Sequence, residues 1–381
     1  MAEKRQTRGA DESCAPPMPS AGAGPLVALE VLEYVARAGI QAPSGDNAQP
    51  WGFRFGQNKI DLYLDRAADL SFFNVDQLAS IVACGAAAEN MRIAATALGL
   101  EPTVAWQPEE VQPDLMARLT LRRGAVGADP LFEGLWGRCT NRRPFSTEPL
   151  PDEAIDALQA AAASAGASLL VVRDRPSLDR LSRVVYRADR IRTEHRGLHE
   201  HLVRMIRFDR DQALLRRDGF PLENLEAGFV GGLFLRATRS WSAMRVANAL
   251  GMGRAVAVHS AQGMRAAGAA ALLTVPEATP RGFLEGGQAL ERVWLELTVR
   301  GLQMQPMTAL TLFGLRWQRE GAAAFSQAHQ ALLRGVWAEM DALFEGFANA
   351  APVMLFRFGR GPACRCRTLR KAPSELERVH G

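Results

Sequence analysis

The sequence predicts an α+β fold made of two fused, related halves, and two observations lead to this prediction. Two long helical segments, Leu78–Leu98 and Gly286–Gly301, align with each other at an offset of 202 positions. The order helix, loop or strand, long helix and strand also repeats around both segments, which indicates an internal duplication. The aligned identities are Gly85 with Gly287, Glu89 with Glu291, Thr96 with Thr298, Gly99 with Gly301 and Leu100 with Leu302.

The length and composition agree with two lobes. The chain has 381 residues, 48% of them hydrophobic, which is enough for one large or two modest domains with buried cores. We predict a first lobe at 26–130 and a second lobe at 131–381 that carries a helical insert at about 176–280. Residues 1–25 are rich in Gly, Pro, Ser and charge, so we expect a disordered tail there. Two fused lobes can pack as an internal pseudo-dimer, and we therefore expect a monomer.

The periodicity of apolar residues predicts the elements of the first lobe. Spacing of three and four residues predicts helices, and alternation of apolar and polar residues predicts strands of a mixed, mostly antiparallel sheet. The predicted elements are a helix at Leu29–Ala42, strands at Phe53–Phe55 and Ile60–Leu64, the helix at Leu78–Leu98 and strands at Thr103–Trp106 and Ala117–Arg122.

The second lobe shows the same kinds of pattern around a longer helical stretch. Residues from Pro176 to Met264 are expected to be mostly helical, with breaks at Gly219–Pro221 and Gly228–Gly232, because glycine and proline interrupt helices. The other predicted elements are a helix at Asp152–Ala165, a strand at Ser168–Val172, the helix at Gly286–Gly301, a helix at Gln327–Ala348 and a strand at Val353–Phe358.

Charge and cysteine content exclude several classes of protein. The net charge is only +4, and no dense basic block suggests nucleic-acid binding. No long uncharged apolar run predicts a membrane span. The five cysteines are scattered, so we expect free thiols in a reducing compartment, the cytoplasm. No metal site is expected: the pair Cys364 and Cys366 lacks a second pair, and His195, His199 and His201 have arginine neighbours that suggest a solvated face.

One polar run carries the strongest local signal for a binding site. The segment Ala42–Trp51 combines a small hydroxyl, a glycine, two amides and an aromatic residue, and it can present several donors and acceptors to the edge of a flat heteroaromatic ring. The alternative is a plain loop whose Asn and Ser cap a turn. The candidate residues are Pro43, Ser44, Gly45, Asn47, Gln49 and Trp51.

This run resembles the signature A-P-S-x-x-N-x-Q-P-W of the FMN-dependent nitroreductase family, and the helix from Cys84 to Leu100 resembles a second motif of that family. The resemblance implies a nitroreductase-like fold and a bound FMN. It implies that the segment Arg138–Phe145 cradles the phosphate, that residues 301–307 pass the flavin ring, and that the basic C-terminal segment 368–371 also reaches the phosphate. The residues implied are Arg138, Asn141, Arg142, Arg143, Gln303, Gln305, Pro306, Met307, Arg370 and Lys371.

The duplication predicts how many cofactors the chain holds. The first half has the polar signature loop, whereas its counterpart in the second half reads Ala162–Ala167 and lacks the Asn, Gln, Pro and Trp. The second half instead has the arginine-rich segment. Because the halves keep complementary parts of one site, we expect one FMN per chain. The two-lobed form resembles Acg-like proteins.

The resemblance implies an oxidoreductase that takes electrons from NAD(P)H and reduces a small molecule such as a nitroaromatic or a quinone. Two alternatives stay open. The helical insert could close the flavin face and leave a non-catalytic FMN-binding or storage protein. The chain could also be a tailoring dehydrogenase that uses oxygen as the final acceptor. The sequence identifies no catalytic acid or base.

Overall fold

The computed structural model describes residues 15–22, 24–347 and 350–377. Residues 1–14 and 23, which make up most of the expected tail, lie outside the described residues, as does Ala348 at the predicted end of a helix. Within the described ranges, no helix is both long and apolar enough to cross a membrane.

The first lobe is a four-stranded antiparallel sheet with two helices. The strand order is β1-β2-β4-β3. The long helix α2 is buried along almost all of its length, because small alanine side chains let neighbouring elements approach from several sides. The elements are α1 (Leu29–Ile40), β1 (Trp51–Gly56), β2 (Lys59–Leu64), α2 (Leu78–Ala97), β3 (Leu100–Trp106) and β4 (Leu115–Arg123), followed by the short helix α3 (Phe132–Leu135).

The second lobe repeats this plan with additional helices. Its sheet has the order β5-β8-β10-β9 and is also antiparallel. The elements are α4 (Asp152–Ala163), β5 (Ser168–Val172), α5 (Arg175–Glu194), α6 (Arg196–Met205), β6 (Ile206–Arg207), α7 (Arg210–Arg216), β7 (Phe220–Pro221), α8 (Gly228–Ala237), α9 (Trp241–Ala249), α10 (Met252–Arg265), β8 (Ala269–Val275), α11 (Pro280–Val299), β9 (Gln303–Pro306), α12 (Ala309–Glu320), α13 (Gln327–Leu343) and β10 (Ala351–Gly359).

The two sheets have the same topology, which confirms the predicted α+β class with two fused lobes. The first strand of each sheet pairs with the second, the second with the fourth and the fourth with the third. In the first lobe only Gln57 and Asn58 separate the first two strands, and Asn58 takes the left-handed conformation that such a tight turn needs. In the second lobe the segment 173–268, from α5 to α10, occupies this position. We call this segment the insert.

The lobes meet where α2 crosses α11, and the contact is symmetric. A Cβ atom on Gly85 would lie 2.0 Å from the carbonyl oxygen of Leu284, and one on Gly287 would lie 2.0 Å from the carbonyl oxygen of Val82. Val82 and Leu284 are themselves equivalent at the 202-residue offset. Reciprocal contacts of this kind define a two-fold interface. The two helices can approach this closely only because both crossing residues are glycine.

The structure differs from the sequence expectations at several elements. Strand β8 lies inside the range expected to be a helical insert, and all seven of its residues are buried, so it shows no alternation. Helix α8 begins at Gly228 and continues through the two glycines at which a break was predicted. Helix α12 was not predicted. Helix α11 begins six residues early, at Pro280, because Thr279 caps it by accepting a hydrogen bond from the amide of Gly282.

The histidines of α6 also differ from the prediction. His199 and His201 are buried and not on a solvated face. His201 faces Asp46 of the first lobe, with Nε2 3.1 Å from a carboxylate oxygen. Burial lowers the pKa of His199. The insert is therefore packed against the first lobe through His201, whereas the ring of His199 packs against that of Trp241 within the insert.

Candidate functional site

A cavity of about 1140 Å³ lies at the seam between the lobes. Its walls come from α2, α11, β9, the loop between α1 and β1, the segment after α3, the insert and the C-terminal segment after β10. Ten of the residues predicted from sequence line it: Pro43, Ser44, Gly45, Asn47, Arg138, Arg142, Gln305, Pro306, Arg370 and Lys371. The other six, Gln49, Trp51, Asn141, Arg143, Gln303 and Met307, lie behind the wall.

The loop between α1 and β1 is held in an unusual backbone conformation. Asp46, Asn47 and Gln49 all have positive φ angles, which cost energy for residues other than glycine and need compensating contacts. Ser44 supplies one, since its hydroxyl accepts a hydrogen bond from the amide of Gln49 at 3.0 Å. The loop thus presents its residues to the cavity in a defined geometry.

The amides of the loop bind neighbouring segments of backbone. The side chain of Asn47 donates to the carbonyl oxygens of Gly219 at 2.8 Å and Leu369 at 3.0 Å. The side chain of Gln49 donates to the carbonyl oxygen of Arg217 at 2.8 Å and accepts from the amide of Lys371 at 2.9 Å. The two amides therefore join the loop to the insert and to the C-terminal segment, and Gln49 supports the cavity from behind.

Trp51 and Met307 belong to the cores of the lobes. Trp51 is the first residue of β1 and is 1% exposed, within the main hydrophobic cluster. The side chain of Met307 packs against the core of the second lobe, and its amide donates to the carbonyl oxygen of Leu355 at 2.7 Å. Both residues are placed to support the strands that border the cavity.

Arg138 is committed to a buried ion pair. Its Nε lies 3.2 Å from the carboxylate of Glu291, and its guanidinium stacks on the ring of Trp294 at 4.5 Å from the centroid. Burial raises the pKa of Glu291 to about 7, against the opposing effect of Arg138. The pair sits on the α11 side of the cavity, where Arg138 lines the wall and Glu291 lies fully buried behind it.

Arg142 connects the cavity wall with the insert. Its guanidinium donates to the carbonyl oxygen of Asn224 at 2.8 Å and lies 5.9 Å from the centroid of the Phe220 ring. Burial lowers the pKa of Arg142. The side-chain oxygen of Asn224 lines the cavity region and has no hydrogen-bond partner among the described residues. A buried acceptor without a partner is costly unless a ligand donor meets it.

The neighbours of Arg142 hold the C-terminal segment. The fully buried amide of Asn141 donates to the side chain of Gln303 at 2.8 Å and to the carbonyl oxygen of Pro362 at 2.7 Å. Arg143 turns away from the cavity and donates to the carbonyl oxygen of Ala363 at 3.3 Å. These three side chains therefore position the wall and do not form it.

Arg370 caps the end of α1. Its guanidinium donates to the carbonyl oxygens of Ile40 at 2.8 Å and Ala42 at 3.3 Å, and to the side chain of Asn47 at 2.6 Å. A cation at a helix C-terminus is favourable because unpaired carbonyl groups carry partial negative charge there. Burial lowers the pKa of Arg370 to about 9. Arg370 therefore anchors the C-terminal segment to the signature loop.

Sequence reasoning missed further cationic residues of the wall. Arg37 and Arg365 line the cavity, and neither makes an ion pair with another described residue; the same holds for the side chain of Lys371. Arg37 could have been found from its place on the last turn of α1, next to the loop. No local signal points to Arg192 of the insert, which also lines the cavity.

The cavity combines these cations with an apolar floor. Leu78, Val82, Phe283 and Leu290 of α2 and α11 supply the apolar surface. Pockets for small molecules usually have volumes of about 300–1,000 Å³ and place a few polar groups on apolar walls, so this cavity has room for more than one small molecule. Guanidinium groups bind phosphate through paired donors. The residues present therefore fit a flat aromatic ligand that carries a phosphate.

Two relatives from Mycobacterium tuberculosis match this chain along most of its length. One, an uncharacterized protein, is 30% identical over 384 residues, which cover 95% of this chain but 52% of the relative. This chain thus spans about half the length of that protein. The other is 28% identical over 331 residues, 82% of this chain and 87% of the relative, and its name places it among the NAD(P)H nitroreductases. No family model matches the chain. The name of the second relative agrees with the resemblance to the nitroreductase family.

Two solved structures also align with part of this chain. A nitroreductase with bound FMN from Bacteroides fragilis aligns with 67% of this chain at 10% identity and a TM-score of 0.36, and all of that chain is covered. The FMN-dependent nitroreductase NfnB from Mycobacterium smegmatis, in complex with NADPH, aligns with 64% of this chain and 95% of its own at 19% identity and a TM-score of 0.35.

Proposed function

We propose that this chain, a relative of the nitroreductases, binds one FMN in the seam cavity and transfers electrons from NAD(P)H to a small electrophile. FMN would supply the two-electron chemistry, and the protein would supply binding, orientation and electrostatics. The observation that carries the proposal is the cavity at which the signature loop of the first lobe meets the arginine-rich segment of the second.

The residues around the cavity suggest how FMN would be held. Arg142, Arg37 and Arg365 would bind the phosphate, because they line the wall and have no carboxylate partner among the described residues. Arg367 and Arg370 also lack a carboxylate partner there, but their guanidinium groups each donate to several backbone carbonyls. Ser44 and Asn47 of the loop, with the backbone of Gln305, would border the polar edge of the ring. The apolar floor on α2 and α11 would exclude water from one face of the ring.

The proposed substrate is a small nitroaromatic, quinone or similar molecule. The cavity volume of about 1140 Å³ leaves space beside a cofactor for such a molecule. We also propose that the chain is a monomer, since the crossing of α2 and α11 already forms a two-fold interface within one chain. The scattered cysteines lead us to propose a cytoplasmic location.

One observation favours the alternative of a closed, non-catalytic FMN-binding protein. The insert contributes Arg192, Arg217, Phe220 and Asn224 to the cavity wall, and Asn47 ties it to the signature loop. If these contacts persist when FMN is bound, the insert would limit the entry of nicotinamide into the cavity. The two functions are distinguished by whether NAD(P)H reduces the bound flavin.

The absorbance spectrum of the protein reconstituted with FMN tests both the stoichiometry and the chemistry. We expect about one FMN per chain, with flavin bands that bleach when NADPH is added without oxygen. Flavin that resists NADPH but is reduced by dithionite would support the closed protein. Two flavins per chain, or none, would contradict the proposed site.

Adjacent arginines provide a matched pair of variants for the phosphate site. Arg142→Ala should weaken FMN binding at least 10-fold, a loss of about 1.4 kcal/mol, because Arg142 lines the cavity. Arg143→Ala should change the dissociation constant less than about threefold, since Arg143 points to a backbone carbonyl behind the wall. Titration with FMN, followed by flavin fluorescence, measures both values. Equal losses in the two variants would contradict the assignment of Arg142.

A further inference from the structure

Two cysteines meet at the cavity wall. Cys139 follows Arg138 in the second lobe, Cys364 lies in the C-terminal segment, and both line the cavity. Their thiols are hydrogen-bonded to each other. The sulfur of Cys364 also lies 3.5 Å from the carbonyl oxygen of Thr140, the residue next to Cys139. The two side chains are thus in contact although 225 positions separate them in sequence.

We propose that Cys139 and Cys364 form a reversible disulfide by exchange with small-molecule disulfides. The two thiols are half-buried and reach the cavity, so a small disulfide can approach them. The segment after β10 is neither helix nor strand from Gly361 to Ala372, and it can make the small shift needed for a sulfur–sulfur bond of about 2.05 Å. This inference does not depend on the proposed flavin chemistry.

The surroundings assign different roles to the two thiols. The hydrogen bond from Cys139 lowers the pKa of Cys364 to about 7, and the same bond raises the pKa of Cys139. The guanidinium of Arg367 lies close to both sulfurs and favours their charged forms. Cys364 is therefore the attacking thiol at neutral pH, and Cys139 is the thiol that resolves the mixed disulfide.

The exchange proceeds in two balanced steps. The thiolate of Cys364 attacks a disulfide R–S–S–R, which breaks its sulfur–sulfur bond, forms a mixed disulfide on Cys364 and releases one thiolate R–S⁻. Cys139 loses its proton and attacks the sulfur of Cys364, which releases the second R–S⁻. The protein dithiol is oxidised by two electrons, and the small disulfide is reduced to two thiols.

The bond would join two segments that both carry cations of the cavity. Cys364 lies beside Arg365 and Arg367, and Cys139 lies beside Arg138. Arg367 already donates to the carbonyl oxygen of Arg138 at 3.0 Å, so the link would make an existing contact covalent. Oxidised glutathione is a suitable probe because it is a small, anionic disulfide that fits a cationic wall.

Peptide mapping after treatment with oxidised glutathione tests the inference directly. Trypsin separates the three relevant thiols, because it yields Cys139–Arg142, Gly361–Arg365 and Cys366–Arg367 as distinct peptides. We expect the native protein to lose two thiols and to yield Cys139–Arg142 linked to Gly361–Arg365, and dithiothreitol should reverse both changes. A link from Cys366 to either partner, or unchanged thiol content, would overturn the proposal.

Variants distinguish the roles of the two thiols. Cys139→Ser should stop at a mixed disulfide with glutathione on Cys364, and Cys364→Ser should leave Cys139 unmodified. Cys366→Ser is the matched control and should still form the link. If Cys364→Ser reacts as readily as the native protein, the assigned roles are wrong. Peptide mapping of the native protein still tests whether the disulfide forms, even if one variant does not fold.

Discussion

The two ends of the crossing between α2 and α11 are equivalent by the duplication, yet one encloses a cavity and the other is filled by charged side chains. At the filled end, Glu89 accepts hydrogen bonds from Arg92 at 2.8 Å and Arg292 at 2.7 Å, and both arginines also pair with Asp129. At the open end, the equivalent Glu291 has one arginine partner at 3.2 Å. The charges at the filled end are thus neutralised by neighbouring side chains, whereas the open end has space for a ligand.

Differences at equivalent positions explain this divergence. Arg92 at the filled end corresponds to Trp294 at the open end, so an ion-pair partner is replaced by an apolar wall. The loop after α1 has ten residues, 41–50, whereas the loop after α4 has four, 164–167. Arg292 occupies the space near the short loop and donates to the hydroxyl of Ser164 at 2.9 Å. A duplicated fold can keep one site because charged residues stabilise the other seam without a ligand.

The largest effect should come from the helix crossing, on which both ends depend. Gly85→Ala and Gly287→Ala each place a Cβ atom 2.0 Å from a backbone oxygen, so each should destabilise the fold by about 3 kcal/mol or more. Thermal unfolding measures the loss. Gly127→Ala is the matched control, because no atom lies within 4 Å of its added Cβ. Very different effects of the two crossing variants would contradict the symmetry.

The filled end should depend strongly on its carboxylate. Glu89→Gln removes a buried carboxylate and leaves two partly buried guanidinium groups with Asp129 as their remaining carboxylate partner. We expect a loss of about 3 kcal/mol in the free energy of unfolding. Urea denaturation measures this loss. Glu285→Gln removes an exposed pair with Arg281 and should cost less than about 0.5 kcal/mol. A Glu89→Gln variant as stable as the native protein would show that the ion network does not hold this seam.

A smaller effect, dependent on pH, should distinguish the open end. Burial raises the pKa of Glu291 from 4.5 to about 7, so between these pH values the native state holds a proton that the unfolded state has released. This stabilisation is complete below pH 4.5 and is lost as the pH rises through about 7. The loss between pH 5 and pH 7.5 is on the order of 2 kcal/mol.

Urea unfolding at pH 5 and pH 7.5 measures this change for the native protein and for Glu291→Gln. The variant should lack the contribution from Glu291, whereas Glu285→Gln should retain it. If Glu291→Gln shows the same change between the two pH values as the native protein, the titrating group lies elsewhere.

Much of the fold could be read from local patterns. The bounds of β5 were predicted to the residue, and α1, α2 and α4 were predicted to within two residues, because amphipathic or alanine-rich periodicity and turn formers mark them. Strand β8 was missed because its burial on both faces removes the alternation that marks a strand. Helix α8 was interrupted in the prediction because glycine has a low helix propensity, yet the helix forms across both glycines although none of its residues is buried.

The candidate site could be read only in part. The signature loop and Arg142 lie on the cavity, and the motif identified them. Gln49 and Asn141 belong to the predicted segments but hold backbone behind the wall, and Gln303 accepts a hydrogen bond from Asn141 there. Residue spacing does not distinguish such supporting residues from those that line the cavity. The contributions of Arg192 and Asn224 depend on how the insert folds back onto the first lobe, and no nearby sequence signal records that packing.

The sequence by itself determined the duplication, the α+β class and the two segments that meet at the seam, because these depend on repeated periodicity and local composition. Only the tertiary structure decided which arginines stay available for a ligand. Arg138 and Arg370 are taken by Glu291 and by the carbonyl groups at the end of α1, whereas Arg37 has no such partner among the described residues. Pairing of charges depends on distances across the fold, and those distances arise only when the two lobes pack.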